Sequence, residues 1–403
     1  MMQKIISVIA IIVTLVLLSN VFSCNLIDPL VFKSIRFPIV FLFVILLLFK
    51  RNELGKRKMV FSRDIKWLMC IPCFSWISAM LAWGQSPIGS MVTCFKFYIL
   101  LLFFVCFAYK VSSKTIICIF SMLTIIVFVI QMFDQFISSP PFLFGGRETD
   151  DGLGYVKRGL VYRISILINV STIVLFYYWD KLIKGNNKKI SILFIVMCLM
   201  LTYFTCTRQI IIATLLSLVY ISVVTAKKHR LSILVLGIGV LLLLEYGSII
   251  FESLINLTEN QTSEGSLGER NNSYAFYWNK IITNPLIFLI GSGNAYGGFY
   301  EKTMFYWTNF KQYIIVDIGH VGQFFLYGIG YIIVFFLLQY RLLIKYKRYL
   351  PNYLFCYFLY INIIGFMIAP LERMDAIATF ALAVYLADIE IQNKRKLVNN
   401  EKK

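Results

Sequence analysis

Charge is what this sequence has least of. Of its 403 residues only 15% are Asp, Glu, Lys or Arg, the acids number 20, and there are two histidines. A soluble domain carries about 25% charged residues, so an ordinary globular protein is excluded. Nine prolines and 23 glycines are too few for a collagen-like chain, and the high hydrophobicity excludes a disordered one. No internal repeat is visible. Nine cysteines are present, but Cys70-x-x-Cys73 sits among Ile, Pro and Phe with no second pair and no histidine nearby. Packing, rather than a zinc site or redox chemistry, is the expected role.

What remains is apolar. The chain is 59% hydrophobic, with a mean hydropathy of +0.77, which implies several membrane spans. A crossing helix takes about 20 mostly apolar residues, because the hydrocarbon is roughly 30 Å thick. Twelve segments qualify, at about 5–22, 37–49, 67–83, 91–109, 115–133, 161–179, 190–206, 209–225, 231–247, 320–340, 352–369 and 377–391. The expected fold is therefore all-α and polytopic. Residues 1–247 supply nine spans with an outer loop at 134–160, 248–319 form a large outer loop, 320–391 add three spans, and 392–403 are a tail. Phe22 is too bulky for a cleavage site before Cys24, so the first apolar run reads as an uncleaved span rather than a signal peptide.

The net charge of +19 would suggest nucleic acid in a soluble protein. Its distribution says otherwise. With the N-terminus inside, the inner segments hold 26 of the 39 basic residues and about 6 acids, and the outer segments hold 12 basic and 13 acidic residues. Cations retained on the cytoplasmic side account for this surplus, and no nucleic-acid partner is expected. Long loops carry function, so the chemistry should face the exterior.

Within the large loop, Ser266-Leu-Gly-Glu-Arg270 precedes a helix on which Tyr274, Tyr277, Trp278, Ile281 and Ile282 share one face, suited to the membrane surface. Asn284-Pro285 ends it. Leu286 to Ile290 is too short to span and should dip into the interface, returning through Gly291-Ser-Gly293. Eight aromatics follow within 18 residues, among them Tyr296 and Trp307. They serve either as an interfacial belt or as stacking faces for sugar rings.

Three further residues could carry chemistry. Arg208, in Thr205-Cys-Thr-Arg208, lies between two spans with almost no polar loop separating them. A guanidinium so placed either snorkels or holds an anion. Asp317 and His320 open the next span at a spacing that puts them on one side of a helical turn, where the histidine could cap, pack or act as a base. Asp150-Asp151, in a Gly-rich loop, reads as solvated rather than metal-binding. Lys96 lies close enough to the outer end to snorkel, and the spans otherwise offer few charges or breaks of the kind transporters show.

The order of these motifs resembles the O-antigen polymerase and O-antigen ligase superfamily, polytopic bacterial glycosyltransferases of the C type. They are Thr-Cys-Thr-Arg208 at a helix hairpin, Ser-Leu-Gly-Glu-Arg270 with Trp278 and Asn-Pro-Leu…Gly-Ser-Gly in one outer loop, and Asp317-Ile-Gly-His320 opening the next span. The resemblance covers about Leu193 to Phe336. It implies an inner-membrane enzyme facing the periplasm, with Arg208 and Arg270 on a polyprenyl diphosphate and His320 or Asp317 as base. It also implies Tyr274, Trp278, Tyr296 and Trp307 near the glycan, no metal or other cofactor, and a possible chain-length regulator as partner. Val321-Gly322 after the histidine, where ligases of this group carry Asn or Ser, and Gly328-x-Gly330 favour the polymerase. The ligase, which moves the glycan to lipid A–core, and a transporter or flippase are the rivals.

Overall fold

The computed structural model describes residues 2–19, 36–55, 58–136, 147–149, 152–154, 157–158, 161–162, 166–226 and 266–400. Among them the chain is helical apart from two short antiparallel ribbons, Arg147–Thr149 with Gly152–Gly154 and Lys157–Arg158 with Val161–Tyr162. The helices are α1 (Met2–Leu18), α2 (Arg36–Phe49), α3 (Arg51–Gly55), α4 (Ser62–Trp83), α5 (Pro87–Cys94), α6 (Leu101–Ala108), α7 (Ser113–Phe136), α8 (Ile168–Ile183), α9 (Lys188–Phe204) and α10 (Arg208–Ala226). After the undescribed stretch come α11 (Ser266–Thr283), α12 (Pro285–Ile290), α13 (Gly298–Asn309), α14 (Gly319–Tyr340), α15 (Asn352–Gly365) and α16 (Met374–Asn400). The span expected at 231–247 and the loop as far as residue 265 lie outside the described residues, as do Asp150 and Asp151.

Among the described residues five helical segments are long and apolar enough to cross a membrane: Ser62–Trp83, Pro87–Ala108, Ser113–Phe136, Arg208–Thr225 and Ile315–Lys345. Ile5–Leu18, Phe37–Phe49 and Asn352–Gly365 are shorter apolar helices. The chain is a helical membrane protein. In such a protein lipid removes the hydrophobic drive between helices, so close packing and interhelical polar contacts must hold the bundle. Helix α14 packs against α4 and α12, α15 against α8 and α10, and α16 against α6. Tyr327, Tyr331, Tyr357, Tyr360 and Tyr385 are fully or almost fully buried between them.

The largest departure from expectation is at 320–340, expected as one span. His320 and Phe336 would stand about 24 Å apart along a continuous helix, yet their rings are 4.9 Å apart. Helix α14 folds back on itself. Its turn is Gly328, at φ 75° and ψ 178°, where a Cβ would fall 2.5 Å from the Leu289 carbonyl oxygen, so only glycine fits. The fold-back leaves the last carbonyls of the first half-helix without intrahelical donors. The N–H of Ser292 meets the Phe325 carbonyl at 2.7 Å, and that of Gly293 meets Leu326 at 2.9 Å. The apolar run Leu286 to Ile290 forms the short helix α12, capped by the Asn284 side chain, which accepts from the Leu286 and Ile287 amides. Its return strand stitches the hairpin tip.

Smaller corrections follow. The span expected at 161–179 starts at Ile168, because Val161–Tyr162 is taken up by a ribbon. The span expected at 352–369 stops at Gly365. Lys96 does not snorkel. It lies in the 3-10 stretch Phe95–Leu100 between α5 and α6, is 93% buried, and pairs with Glu372, which is 276 residues away in sequence. Contacts between the described helix ends join partners that the cation distribution assigns to the same side: Asp64 with Arg341, Glu53 with Lys110 and Asp180 with Asn352 at one end, Gln85 with Asn294 and Tyr274 with Phe366 at the other.

Candidate functional site

Two helix starts carry the candidate arginines. Helix α10 begins at Arg208, and Arg270 lies in the first turns of α11. Both side chains are half-buried. With the Gln209 amide turned so that its oxygen faces the guanidinium, it accepts from Nη1 of Arg270 at 2.8 Å and Nη2 at 3.2 Å. This contact brings the residue next to Arg208 against Arg270 across 61 positions of sequence. Among the described residues Arg270 forms no ion pair with a carboxylate. A neutral amide satisfies two of its donors and leaves its charge uncancelled.

One turn further along α11, the Tyr274 hydroxyl donates to the Phe366 carbonyl. Burial raises the pKa of this phenol, and the positive charge of Arg270 pulls it the other way, so the hydroxyl remains a donor at neutral pH. Phe366 follows the end of α15, and its ring meets the His320 ring edge-on at 6.0 Å. The field of Arg270 thus reaches Tyr274, and contacts run from Tyr274 through Phe366 to His320.

His320 itself is 91% buried. Phe335 and Phe336, brought round by the fold-back, stand 5.2 and 4.9 Å from it. Its Nδ1 is 3.4 Å from Oε1 of Gln323, and its Nε2 has no hydrogen-bond partner among the described residues. Asp317 does not share a helical turn with it. The aspartate lies half-buried in the 3-10 turn Ile315–Ile318, and Gly319, the first residue of α14, turns the chain between them at φ 53°. The i, i+3 spacing therefore misled.

The four aromatic candidates do not converge. Tyr274 is committed to Phe366. Trp278 is 48% exposed and touches only Phe324 among ring partners, at 6.2 Å. Tyr296 is exposed beside Gln85, which accepts from its amide. Trp307 packs on Phe276 at 4.9 Å and on Trp83 at 5.6 Å. The face expected to lie on the membrane surface is split, with Tyr277 and Ile281 wholly buried and Trp278 and Ile282 turned outward.

Sequence reading missed a polar cluster beside the hairpin tip. Glu372 accepts from Lys96 and, at 3.3 Å, from the Tyr327 hydroxyl, and Asn294 donates to that hydroxyl at 2.9 Å. Next to Glu372, Arg373 grips Asp375 through Nε and Nη2 at 3.0 and 3.1 Å. Lys96 stands out in the sequence as a charge near an apolar run, but nothing there names its partner. Among the described residues no three His, Cys, Asp or Glu side chains converge as metal ligands. No known family matches the chain, and no curated protein is significantly similar to it.

Proposed function

We propose that the chain is a lipid-linked oligosaccharide polymerase of a bacterial inner membrane. It moves a growing glycan from a polyprenyl diphosphate onto the sugar end of another lipid-linked repeat unit, on the periplasmic side. The observation that carries this reading is the Gln209–Arg270 contact. It sets Arg270 beside the start of α10 with no carboxylate paired to it among the described residues, so its charge is open to a bound anion. Breaking the sugar–phosphate bond builds negative charge on the leaving diphosphate, and a fixed cation there lowers the barrier. Arginine suits the task because it stays charged and grips two phosphate oxygens at once. The acceptor hydroxyl must lose its proton to a base within hydrogen-bond reach. His320 is the first candidate for that role and Asp317 the second.

The decisive experiment reconstitutes the purified protein in bilayers with lipid-linked repeat units alone. A ladder of longer lipid-linked glycans is expected. A ligase would elongate nothing until lipid A–core is added, and would then transfer the glycan to it. A transporter reading draws some support from the broken helix α14 and from the buried Lys96–Glu372 pair, features transporters use near the midplane. Movement of the substrate across the bilayer without any new glycosidic bond would establish it and overturn the polymerase.

A further inference from the structure

The base candidate cannot work in the arrangement observed. The Nε2 of His320 faces the end of α15 so closely that a Cβ at Gly365 would fall 2.3 Å from it. Phe335 is wholly buried, whereas Phe336 is 40% and Phe366 66% exposed. Of the three rings around the imidazole, Phe366 is therefore the outermost, and it belongs to a turn rather than to a helix. Two hydrogen bonds to other segments fasten that turn: the Ala369 amide to the Val316 carbonyl at 3.1 Å, and the Tyr274 hydroxyl to the Phe366 carbonyl.

We propose that Tyr274 is a positioning residue that holds Gly365–Phe366 as a lid over Nε2 of His320 and releases it when an anion binds at Arg270. The reason is the spacing on α11. Arg270 and Tyr274 are one turn apart and face the same way, so an anion gripped by Arg270 lies within reach of the Tyr274 hydroxyl. A hydrogen bond to an ionised oxygen is roughly twice as strong as one to a neutral carbonyl. The hydroxyl therefore exchanges the Phe366 carbonyl for the anion, and the turn loses the fastening nearest His320. The imidazole is offered to an acceptor only after the donor's diphosphate is in place, which keeps the base covered while the site is empty. This inference rests on the reading of Arg270 as a diphosphate ligand.

The test uses full-length protein in nanodiscs with His229→Gln, so that His320 is the only histidine. Carbethoxylation of His320 is followed by mass spectrometry, with and without undecaprenyl diphosphate, and carrier binding is measured separately by titration. The carrier should raise the modification rate by about 5-fold or more, the lower end of ordinary coupling between sites. Inorganic pyrophosphate should do the same if the charge alone drives release. Tyr274→Phe keeps the ring and removes the hydroxyl. It should reach the raised rate without carrier and respond no further. Thr283→Ala loosens the same helix without touching Phe366 and should behave as wild type.

Tyr274→Phe protein that melts like wild type yet keeps His320 protected overturns the lid. Carrier that binds without changing the His320 rate overturns the coupling and leaves the diphosphate site standing. Carrier that does not bind at all removes the diphosphate reading instead, and the lid is then decided by Tyr274→Phe alone.

Discussion

The paired cations of the bundle differ from Arg270 at its outer end. At the end assigned to the cytoplasm, Arg341 pairs with Asp64, Lys184 with Asp180, and Lys110 with Glu53 at 3.4 Å. At the other end Lys96 and Arg373 are likewise closed by Glu372 and Asp375, but Arg270 is held by the neutral Gln209. A paired cation is neutralised within the fold, and its removal is felt as instability. A cation whose donors are satisfied by an amide keeps its field for an external anion. The first kind builds the bundle, and the second can do chemistry.

The comparison can be broken at either end. The largest effect is expected at the outer one. Arg208→Lys or Arg270→Lys keeps the charge and loses the two-pronged grip, so polymerisation should fall by about 30- to 1,000-fold, equivalent to roughly 2–4 kcal/mol. Expression and melting temperature should stay near wild type. Rates close to normal in well-folded protein would return both residues to the role of interfacial anchors.

Next in size is the inner end. Asp64→Ala removes the carboxylate that Arg341 pairs with in a half-buried site, which should cost about 1–3 kcal/mol of stability, read as a lower melting temperature in detergent. The turnover of the molecules that remain folded should not change. A lost rate with unchanged melting would mean that the inner pairs also serve the reaction.

The base separates more finely. His320→Ala should abolish most transfer and Asp317→Ala should leave a sizeable fraction, measured as glycan ladder length at equal protein insertion. The reverse outcome would move the base to the aspartate, which is the more accessible of the two. The smallest expected effect is that of a chelator. Excess EDTA should leave the rate unchanged, and a loss restored by a divalent ion would reopen Asp150 and Asp151.

Hydropathy made most of the helices legible, because a run of apolar residues long enough to cross lipid has few other uses. It could not show direction. Gly328 is one glycine among several in an unbroken apolar run, and only its contact with the Leu289–Gly291 backbone reveals that the chain reverses there. Cation placement marked which ends lie together, and the observed pairs agree. Arg208 and Arg270 were found from their motifs, yet Gln209, which links them, was passed over, since an amide beside an arginine is unremarkable until its partner is known. Lys96 was noticed and misjudged for the same reason, its partner lying 276 residues away. Asp317 and His320 were joined by helical arithmetic that one left-handed glycine undid.

The central claim is that the charge of Arg270 is left for a bound diphosphate, and one substitution tests it most directly. Gln209→Glu gives Arg270 a carboxylate at the same place and length, turning the outer cation into another closed pair. Binding of undecaprenyl diphosphate to this variant and to wild type should be compared in nanodiscs at matched ionic strength. The account predicts an affinity about 10-fold or more lower, with the melting temperature unchanged or raised, since an ion pair replaces a neutral hydrogen bond. An affinity equal to wild type in a folded protein would contradict it.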